Sequence, residues 1–312
     1  LDHPKGKAYM NDRQWLLAEQ LAEYKKQTGS EISARFDRML SECSSFRIGG
    51  PAECVLYPSD REQLRFVLDA ARRADMAVFV AGNASNLLFD DEGFRGAVIF
   101  TSAMRGVSAD SESCTVTADA GAMLCSVAAC AQRAGIAGLE YLHGIPGTLG
   151  GGIYMNCGAF GGQISDNLVS CTYLDTESGE TVTETPDMLD FAYRRSIFMQ
   201  GGKIILSAVL RGEAGERDGI KSLMEEHMAY RSSTQPLDFP SAGSVFKRYP
   251  GYYTSRLIEE AGLKGRSVGG AEVSLKHAGF IINKDHATFA DVMALIGVVQ
   301  DTVYRAYGVE LE

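Results

Sequence analysis

The sequence lacks several features that would each place it in a class of protein. Its 312 residues contain no apolar run of the roughly 18–20 residues that a membrane span requires, and no secretory signal is visible at the start. The seven cysteines form no Cys-x-x-Cys pair, which favours free thiols in a reducing cytoplasm over a disulfide framework or a zinc site. A net charge of −10 without a basic run argues against general nucleic-acid binding. We therefore expect a cytoplasmic protein that holds no metal and contacts neither membrane nor nucleic acid.

Glycine, by contrast, is abundant. The chain has 34 glycines, above the usual share of about 7%, but only 8 prolines. Eight of these glycines fall within residues 144–162, a stretch with no charged side chain and with interspersed apolar residues. A flexible linker would be rich in serine and other polar residues instead. Because glycine lets other groups approach the backbone closely, the stretch predicts a wall for a large, flat, partly anionic ligand.

Hydrophobic periodicity predicts a chain that mixes helices and strands. Helices are predicted at residues 11–26, after a capping box at 59–62, at 122–134, at 220–231, before Gly262 and at 288–308. Strands are predicted at residues 53–57, 77–81, 96–101, 115–118, 168–175, 180–183, 203–210 and 279–283, and a loop at 232–243. The length predicts two or three domains, and the charged stretch 213–218 marks a boundary.

Two regions of small, uncharged residues carry the clearest chemical signal. The pentapeptide Gly82-Asn83-Ala84-Ser85-Asn86 follows a predicted buried strand, and its free amides and neutral side-chain donors suit a phosphate. An ordinary strand-to-loop turn is an equally good interpretation, and the spacing fits neither a Walker loop nor the dinucleotide fingerprint. The segments 143–151 and 155–161 repeat the theme and together predict a flavin dinucleotide site, with a glycine-rich barrel corner as the alternative.

Eight motifs, in order, resemble those of the UDP-N-acetylenolpyruvoylglucosamine reductase family of peptidoglycan precursor synthesis. They lie at residues 82–88, 144–151, 155–161, 191–198, 231–236, 241–247, 261–265 and 276–283, and the resemblance runs from about residue 45 to 312. It implies an α+β fold, with an FAD-binding domain of the vanillyl-alcohol-oxidase type and a smaller C-terminal α+β substrate domain. The expected limits are an N-terminal helical segment at 1–44, an FAD-binding domain at 45–212 with subdomains at about 45–100 and 101–212, and a substrate domain at 213–312. The short stretch between Phe198 and Arg231 resembles the second type of this family, which lacks an inserted tyrosine-bearing loop.

The resemblance also implies a reaction. It is the NADPH-dependent reduction of UDP-N-acetylenolpyruvoylglucosamine to UDP-N-acetylmuramate, mediated by non-covalent FAD, in a monomer whose partners are small molecules. Two rivals stay open, an FAD-dependent oxidase of the same fold and a non-catalytic nucleotide-sugar binding protein.

The motifs carry predicted roles for individual residues. Arg194 would stabilise the negative charge that develops beside the substrate carboxylate, and Ser244 would donate a proton to the adjacent carbon. Without the motifs, Arg194 would be interpreted as half of a surface salt bridge and Ser244 as a turn serine. Substrate binding is predicted for Tyr193, Arg231, Lys247 and His277, although Lys247 could be a solvated lysine and His277 a structural histidine. FAD binding is predicted for Gly82, Asn83, Ala84, Ser85, Asn86, Gly144, Ile145, Pro146, Gly147, Thr148, Gly150, Gly151, Asn156, Gly158 and Ala159.

Two further expectations concern charge. The family motif Leu-Glu-x-Glu-Val supplies a glutamate that assists the proton transfer, and Leu311-Glu312 matches the start of that motif. The catalytic glutamate is therefore expected two residues beyond Glu312, and no role is assigned to Glu310 or Glu312. A chain without that glutamate should bind FAD but turn over poorly. Basic residues near the motifs predict a local positive basin, with a scatter of solvated charges as the alternative: Arg231, Lys247, Arg248, Lys264, Arg266 and Lys276.

Overall fold

The computed structural model describes residues 10–249 and 251–312, so the first nine residues of the predicted N-terminal segment lie outside the described residues. The first layer of the fold contains α1 (Asp12–Thr28), β1 (Ser33–Met39), β2 (Pro51–Tyr57), α2 (Arg61–Arg73), β3 (Ala77–Ala81) and β4 (Phe94–Phe100). Its sheet has the order β1-β2-β4-β3, with β1 antiparallel to β2 and the other pairs parallel. Strand β1 was not predicted, and it joins the segment before residue 44 to this sheet.

The ends of the helices follow local capping chemistry. Asn11 and Gln14 form a capping box at the start of α1, and Gly29 ends that helix in the left-handed region. The capping box predicted at residues 59–62 is wrong, because Asp60 and not Ser59 caps α2, with its side chain accepting from the Gln63 amide. The Asp60 carboxylate is a side-chain acceptor one residue after the Ser59 hydroxyl, so α2 begins one residue further along.

The second layer is an antiparallel sheet in the order β11-β10-β12-β6-β5. This layer also includes helices and short hairpin strands. In chain order its elements are β5 (Val107–Asp110), β6 (Thr115–Asp119), α3 (Leu124–Ala134), β7 (Ile136–Ala137), α4 (Leu149–Tyr154), β8 (Gly158–Ala159), β9 (Gly162–Gln163), α5 (Ile164–Asn167), β10 (Leu168–Asp175), β11 (Thr181–Glu184), β12 (Lys203–Arg211), β13 (Glu213–Ala214) and α6 (Arg217–Thr234). The glycine-rich stretch thus folds into a short helix and a small hairpin. Ile220 and Met224 of α6 are buried in the core of this layer.

The third layer contains β14 (Ser241–Ser244), α7 (Thr254–Glu260), β15 (Ser267–Val268), β16 (Ala271–Val273), β17 (Phe280–Asn283) and α8 (Phe289–Tyr307). Its antiparallel sheet has the order β14-β17-β16-β15, and Thr288 and Asp291 form the capping box that begins α8. β14 begins within the predicted loop at 232–243. The core of this layer includes Phe46 and Ile48, which lie far away in sequence. The predicted domain limits at 44, 100 and 212 stay predictions.

No helix in the described part of the chain is long and apolar enough to cross a membrane. The seven cysteines, all within this part, are free thiols.

Candidate active site

A cavity of about 1990 Å³ is lined by residues of all three layers. This is larger than the roughly 300–1,000 Å³ of a typical small-molecule pocket, so it has room for an extended ligand and a second molecule. The lining includes most of the residues that the sequence predicted: Gly82, Asn83, Ala84, Ser85, Asn86, Ile145, Pro146, Gly147, Thr148, Gly150, Gly151, Gly158, Ala159, Tyr193, Arg194, Arg231, Ser244, Lys247 and His277. Gly144 and Asn156 are not among the lining residues.

The loop after β3 is held directly against the glycine-rich segment. Asn83 Nδ2 donates to the Pro146 carbonyl oxygen at 2.8 Å. A Cβ atom on Gly82 would lie 2.1 Å from Thr148 Oγ1, so this contact requires a glycine. The loop 82–86 and the glycine-rich segment that contains Pro146 and Thr148 therefore form one continuous wall of the cavity.

Arg194 lies in a tight turn between two paired residues, Ala192 and Arg195. Its φ of +54° lies in the left-handed region, which costs a non-glycine residue roughly 1–2 kcal/mol. Its guanidinium donates to the carbonyl oxygens of Asn156 at 3.1 Å and Gly158 at 3.3 Å, and lies 5.2 Å from the Tyr193 ring centre. The surface ion pair of this turn belongs instead to Arg195, which contacts Asp190. Arg194 is thus held beside the cavity through carbonyl groups, which leave its positive charge uncompensated.

Ser244 ends β14 and is exposed to the cavity from the opposite domain. Three residues later, the Lys247 amide donates to the Glu312 carbonyl oxygen at 2.7 Å, and the Lys247 ammonium forms an ion pair with the Glu312 carboxylate. A second, smaller cavity of about 350 Å³ lies here, between Tyr193 and residues 310–312. The C-terminal residues are therefore attached to the rim of the main cavity.

Two cavity-lining side chains at the end of α6 carry buried polar atoms without a hydrogen-bond partner in the described chain. These are Nε of Arg231 and Oε1 of Gln235, one donor and one acceptor four residues apart. Burial lowers the pKa of the Arg231 guanidinium from its usual value. Buried polar groups are normally paired, so these two enclosed atoms are exceptions in residues that line the cavity. Gln235 was not singled out from the sequence, because it falls in the predicted loop at 232–243, and in the structure it follows the last residue of α6 with an extended backbone.

His277 presents a defined face to the cavity. Its Nδ1 accepts from the Gly279 amide at 3.1 Å, and its ring packs edge-on against Phe280. Burial lowers the pKa of His277, so the neutral ring is favoured and Nε2 carries the proton as a hydrogen-bond donor.

The predicted positive basin forms only in part. Arg231, Lys247 and Arg248 line the cavity, whereas Lys264 pairs with Glu259 and Lys276 donates to the Ser232 carbonyl oxygen. Lys264, Arg266 and Lys276 are absent from the lining.

Comparison with known proteins identifies the family of this chain. A model of the UDP-N-acetylenolpyruvoylglucosamine reductase C-terminal domain matches residues 235–312, and a model of an FAD binding domain matches residues 52–185. The UDP-N-acetylenolpyruvoylglucosamine reductase of Agathobacter rectalis is 46% identical, covering 88% of this chain and 91% of its own. The one from Caldanaerobacter subterraneus is 42% identical, covering 95% and 97%. The chain belongs to the UDP-N-acetylenolpyruvoylglucosamine reductase family.

A solved reductase of this family, from Thermus caldophilus, superposes with a TM-score of 0.75 at 32% identity, covering 90% of this chain and 97% of that one. The family resemblance seen in the eight motifs is thus confirmed, as is an α+β fold in which an FAD-binding domain precedes a C-terminal domain. Both family models begin later than the corresponding predicted domain limits of 45 and 213.

The cavity fits the FAD that this domain implies. Its wall at Gly82–Asn86 and Gly147–Gly151 is free of charge, and at Gly147 and Gly151 an added Cβ would meet no atom closer than 3.5 Å. A ligand can therefore approach the backbone at these two positions. Arg231 and Gln235 line the same cavity.

Proposed function

We propose that this chain reduces UDP-N-acetylenolpyruvoylglucosamine to UDP-N-acetylmuramate, with non-covalently bound FAD as cofactor and NADPH as reductant. The observation that carries the proposal is that Arg194 and Ser244, from different domains, line one cavity with the uncharged wall that fits FAD. The relatives are named for reduction of this enolpyruvyl compound, which fits these two side chains.

FAD would be held by those of the predicted residues that line the cavity, in the loops 82–86, 145–151 and 158–159. When bound, it takes hydride from a nicotinamide and supplies hydride to a carbon–carbon double bond. The chain's own contribution is to place and polarise the substrate.

Arg194 would bind the carboxylate of the enolpyruvyl group. A guanidinium presents a fixed fork of donors to a carboxylate, and its charge stabilises the electron density that moves there as the double bond is reduced. Its contacts with the Asn156 and Gly158 carbonyl oxygens hold that charge in place without neutralising it.

Ser244 would hold the proton that goes to the carbon beside the carboxylate. The hydroxyl is a weak acid, so the transfer needs neighbouring groups that stabilise the resulting oxygen anion or relay a proton. Arg194, which lines the same cavity, is a cation that would contribute to this stabilisation.

The anionic parts of both substrates need a positive environment, which the net charge of −10 does not provide. Arg231 and Arg248 supply it locally, and Lys247 contributes less because its ammonium is paired with the Glu312 carboxylate. Tyr193 would lie beside the bound substrate, and the His277 Nε2 donor would contact one of its oxygens. The resemblance further supports a cytoplasmic monomer.

The proposal is tested by the absorbance of the purified protein. We expect a flavin band near ~450 nm that NADPH bleaches and that UDP-N-acetylenolpyruvoylglucosamine then restores without oxygen. A flavin that only oxygen restores would favour an oxidase, particularly if yellow colour stays with the denatured chain. A bound flavin that NADPH does not bleach would favour a nucleotide-sugar binding protein, and a colourless protein that ignores FAD would refute the proposal.

A further inference from the structure

Asn156 occupies an unusual place between the glycine-rich segment and the turn that carries Arg194. It is 1% exposed, and its φ of +40° lies in the left-handed region that asparagine tolerates better than most residues. It is not among the cavity-lining residues, although the sequence predicted FAD binding for it. Its polar atoms are instead committed to protein partners.

Two of those partners belong to the turn that contains Arg194. Asn156 Nδ2 donates to the carbonyl oxygen of Ala192, two residues before Arg194, at 3.1 Å. The Asn156 carbonyl oxygen accepts from Arg194 Nη1, also at 3.1 Å. One residue thus binds both the backbone of the turn and the end of the arginine side chain.

Asn156 is itself fixed from a third direction. Its Oδ1 accepts from the Ser165 amide at 3.0 Å, at the start of α5. The buried amide therefore connects the body of the second layer to the turn at 192–195. A nearby contact reinforces the connection, since buried Ser196 donates from Oγ to the Tyr154 carbonyl oxygen at 2.7 Å.

This arrangement matters because Arg194 has a backbone conformation that it does not favour. With φ at +54°, the turn needs outside contacts to keep it from relaxing. We propose that Asn156 is a positioning residue for the reduction, which acts by holding Arg194 in its left-handed turn with the guanidinium beside the cavity. The proposal rests on the function proposed above and assigns Asn156 to Arg194 rather than to FAD.

The test replaces the amide without adding backbone strain. Asn156→Gly keeps the left-handed φ accessible and removes only the side chain. Asn156→Asp keeps the acceptor for Ser165 but loses the donor to Ala192. Asn167→Ala is the matched control, because Asn167 donates from its amide to the Arg211 carbonyl oxygen in the same layer, away from the turn.

Three measurements separate the alternatives. We expect both Asn156 variants to bind FAD and to be reduced by NADPH like the parent, while reoxidation of the reduced enzyme by the enolpyruvyl substrate slows by up to about 100-fold. Asn167→Ala should leave that rate unchanged. In an Arg194→Ala background, Asn156→Gly should slow reoxidation no further, since residues that act as a unit are not additive.

Weakened FAD binding in both Asn156 variants would overturn the proposal in favour of a cofactor contact. Full additivity with Arg194→Ala would overturn it in favour of a general structural role. If Asn156→Gly does not fold, the Asp variant and its cycle with Arg194→Ala decide. Failure of the proposed function would look different, because the parent protein itself would then not be reoxidised by the substrate.

Discussion

Ser244 and Arg194 would contribute different things to the proposed reaction. Ser244 would supply a proton, and Arg194 a fixed positive charge. The two residues line the cavity from different domains. Ser244 is exposed, and the Arg194 guanidinium is bound by backbone carbonyl oxygens rather than by a carboxylate. Their roles should therefore separate in half-reactions. With the proposed roles, the reduction of flavin should need neither residue, whereas the reduction of the enolpyruvyl group should need both.

The Ser244→Ala variant should keep the first half-reaction and lose much of the second. Removing a positioned proton donor costs about 10²- to 10⁴-fold in rate, so reoxidation by the enolpyruvyl substrate should fall by that factor in stopped-flow absorbance. Ser241→Ala, on the same strand and also beside the cavity, is the control and should change little. A parallel fall in both half-reactions of Ser244→Ala would refute the proton-donor role.

Protein packing requires a glycine at position 82. A Cβ at this position would lie 2.1 Å from Thr148 Oγ1 but 3.3 Å from Thr148 Cβ. Gly82→Ala should therefore lower the free energy of unfolding by about 1–3 kcal/mol. Adding Thr148→Ala removes the clashing oxygen, so urea denaturation of the double variant should show less loss than the two single losses summed. Simple additivity would mean that the clash is not the cause.

The protonation of His277 should make the free energy of unfolding depend on pH. Burial lowers its pKa in the folded chain below the usual 6.5, so the unfolded chain binds the proton more readily. Stability should fall as the pH drops from about 6.5 through the folded pKa, and be fully present above 6.5. His277→Gln removes this group, so its unfolding free energy should depend less on pH between about 7 and 5. Equal slopes for both proteins would contradict the assignment.

At the scale of elements, the N-terminus of α8 is capped from another domain. Asp91, in the loop between β3 and β4, accepts from the amides of Phe289 at 3.0 Å and Ala290 at 3.4 Å. A carboxylate at this end of a helix satisfies free amides and complements the helix dipole. The loop thus joins the first layer to the third.

Asp91→Ala should lower the free energy of unfolding by about 1 kcal/mol, the usual cost of losing a helix cap. Glu92→Ala removes a neighbouring exposed carboxylate and controls for the change in net charge. Chemical denaturation monitored by circular dichroism compares the two. An equal effect of both variants would show that charge alone is responsible.

The elements also show which features the sequence could predict. The capping box at Thr288 and the glycine at 135 mark helix ends through local chemistry, and both are confirmed. The strands β1, β15 and β16 were missed because they are short or lie at the edge of a sheet, where pairing partners far along the chain decide the conformation. The site was predictable where a motif carries it. The contacts of Asn156 and the position of Gln235 at the cavity could not be predicted, because they depend on which loops meet in space.

At the scale of the whole molecule, the C-terminal core depends on the start of the chain. Phe46 and Ile48 are each 2% exposed and lie in the same core as Leu257, Val273 and Leu295. Asn283 Nδ2 also donates to the Phe46 carbonyl oxygen at 3.1 Å. By contrast, the described contact between Tyr193 and the third layer is a single hydrogen bond, in which the Arg248 amide donates to the Tyr193 hydroxyl at 3.2 Å. A second described hydrogen bond to the second layer runs from the Lys276 ammonium to the Ser232 carbonyl oxygen, whereas the buried apolar core of the third layer is shared with Phe46 and Ile48.

This anchoring predicts that the C-terminal domain does not fold by itself. A fragment of residues 235–312, the range of its family model, lacks Phe46 and Ile48 and would expose the apolar surface they cover. Losing a buried Phe alone costs about 3–5 kcal/mol, a large part of the stability of a domain this small. We expect circular dichroism of the fragment to show little helix and no cooperative thermal transition. The full chain with Phe46→Ala should fold but unfold at a lower temperature. A fragment that melts cooperatively would show that the C-terminal core is complete without the N-terminal residues.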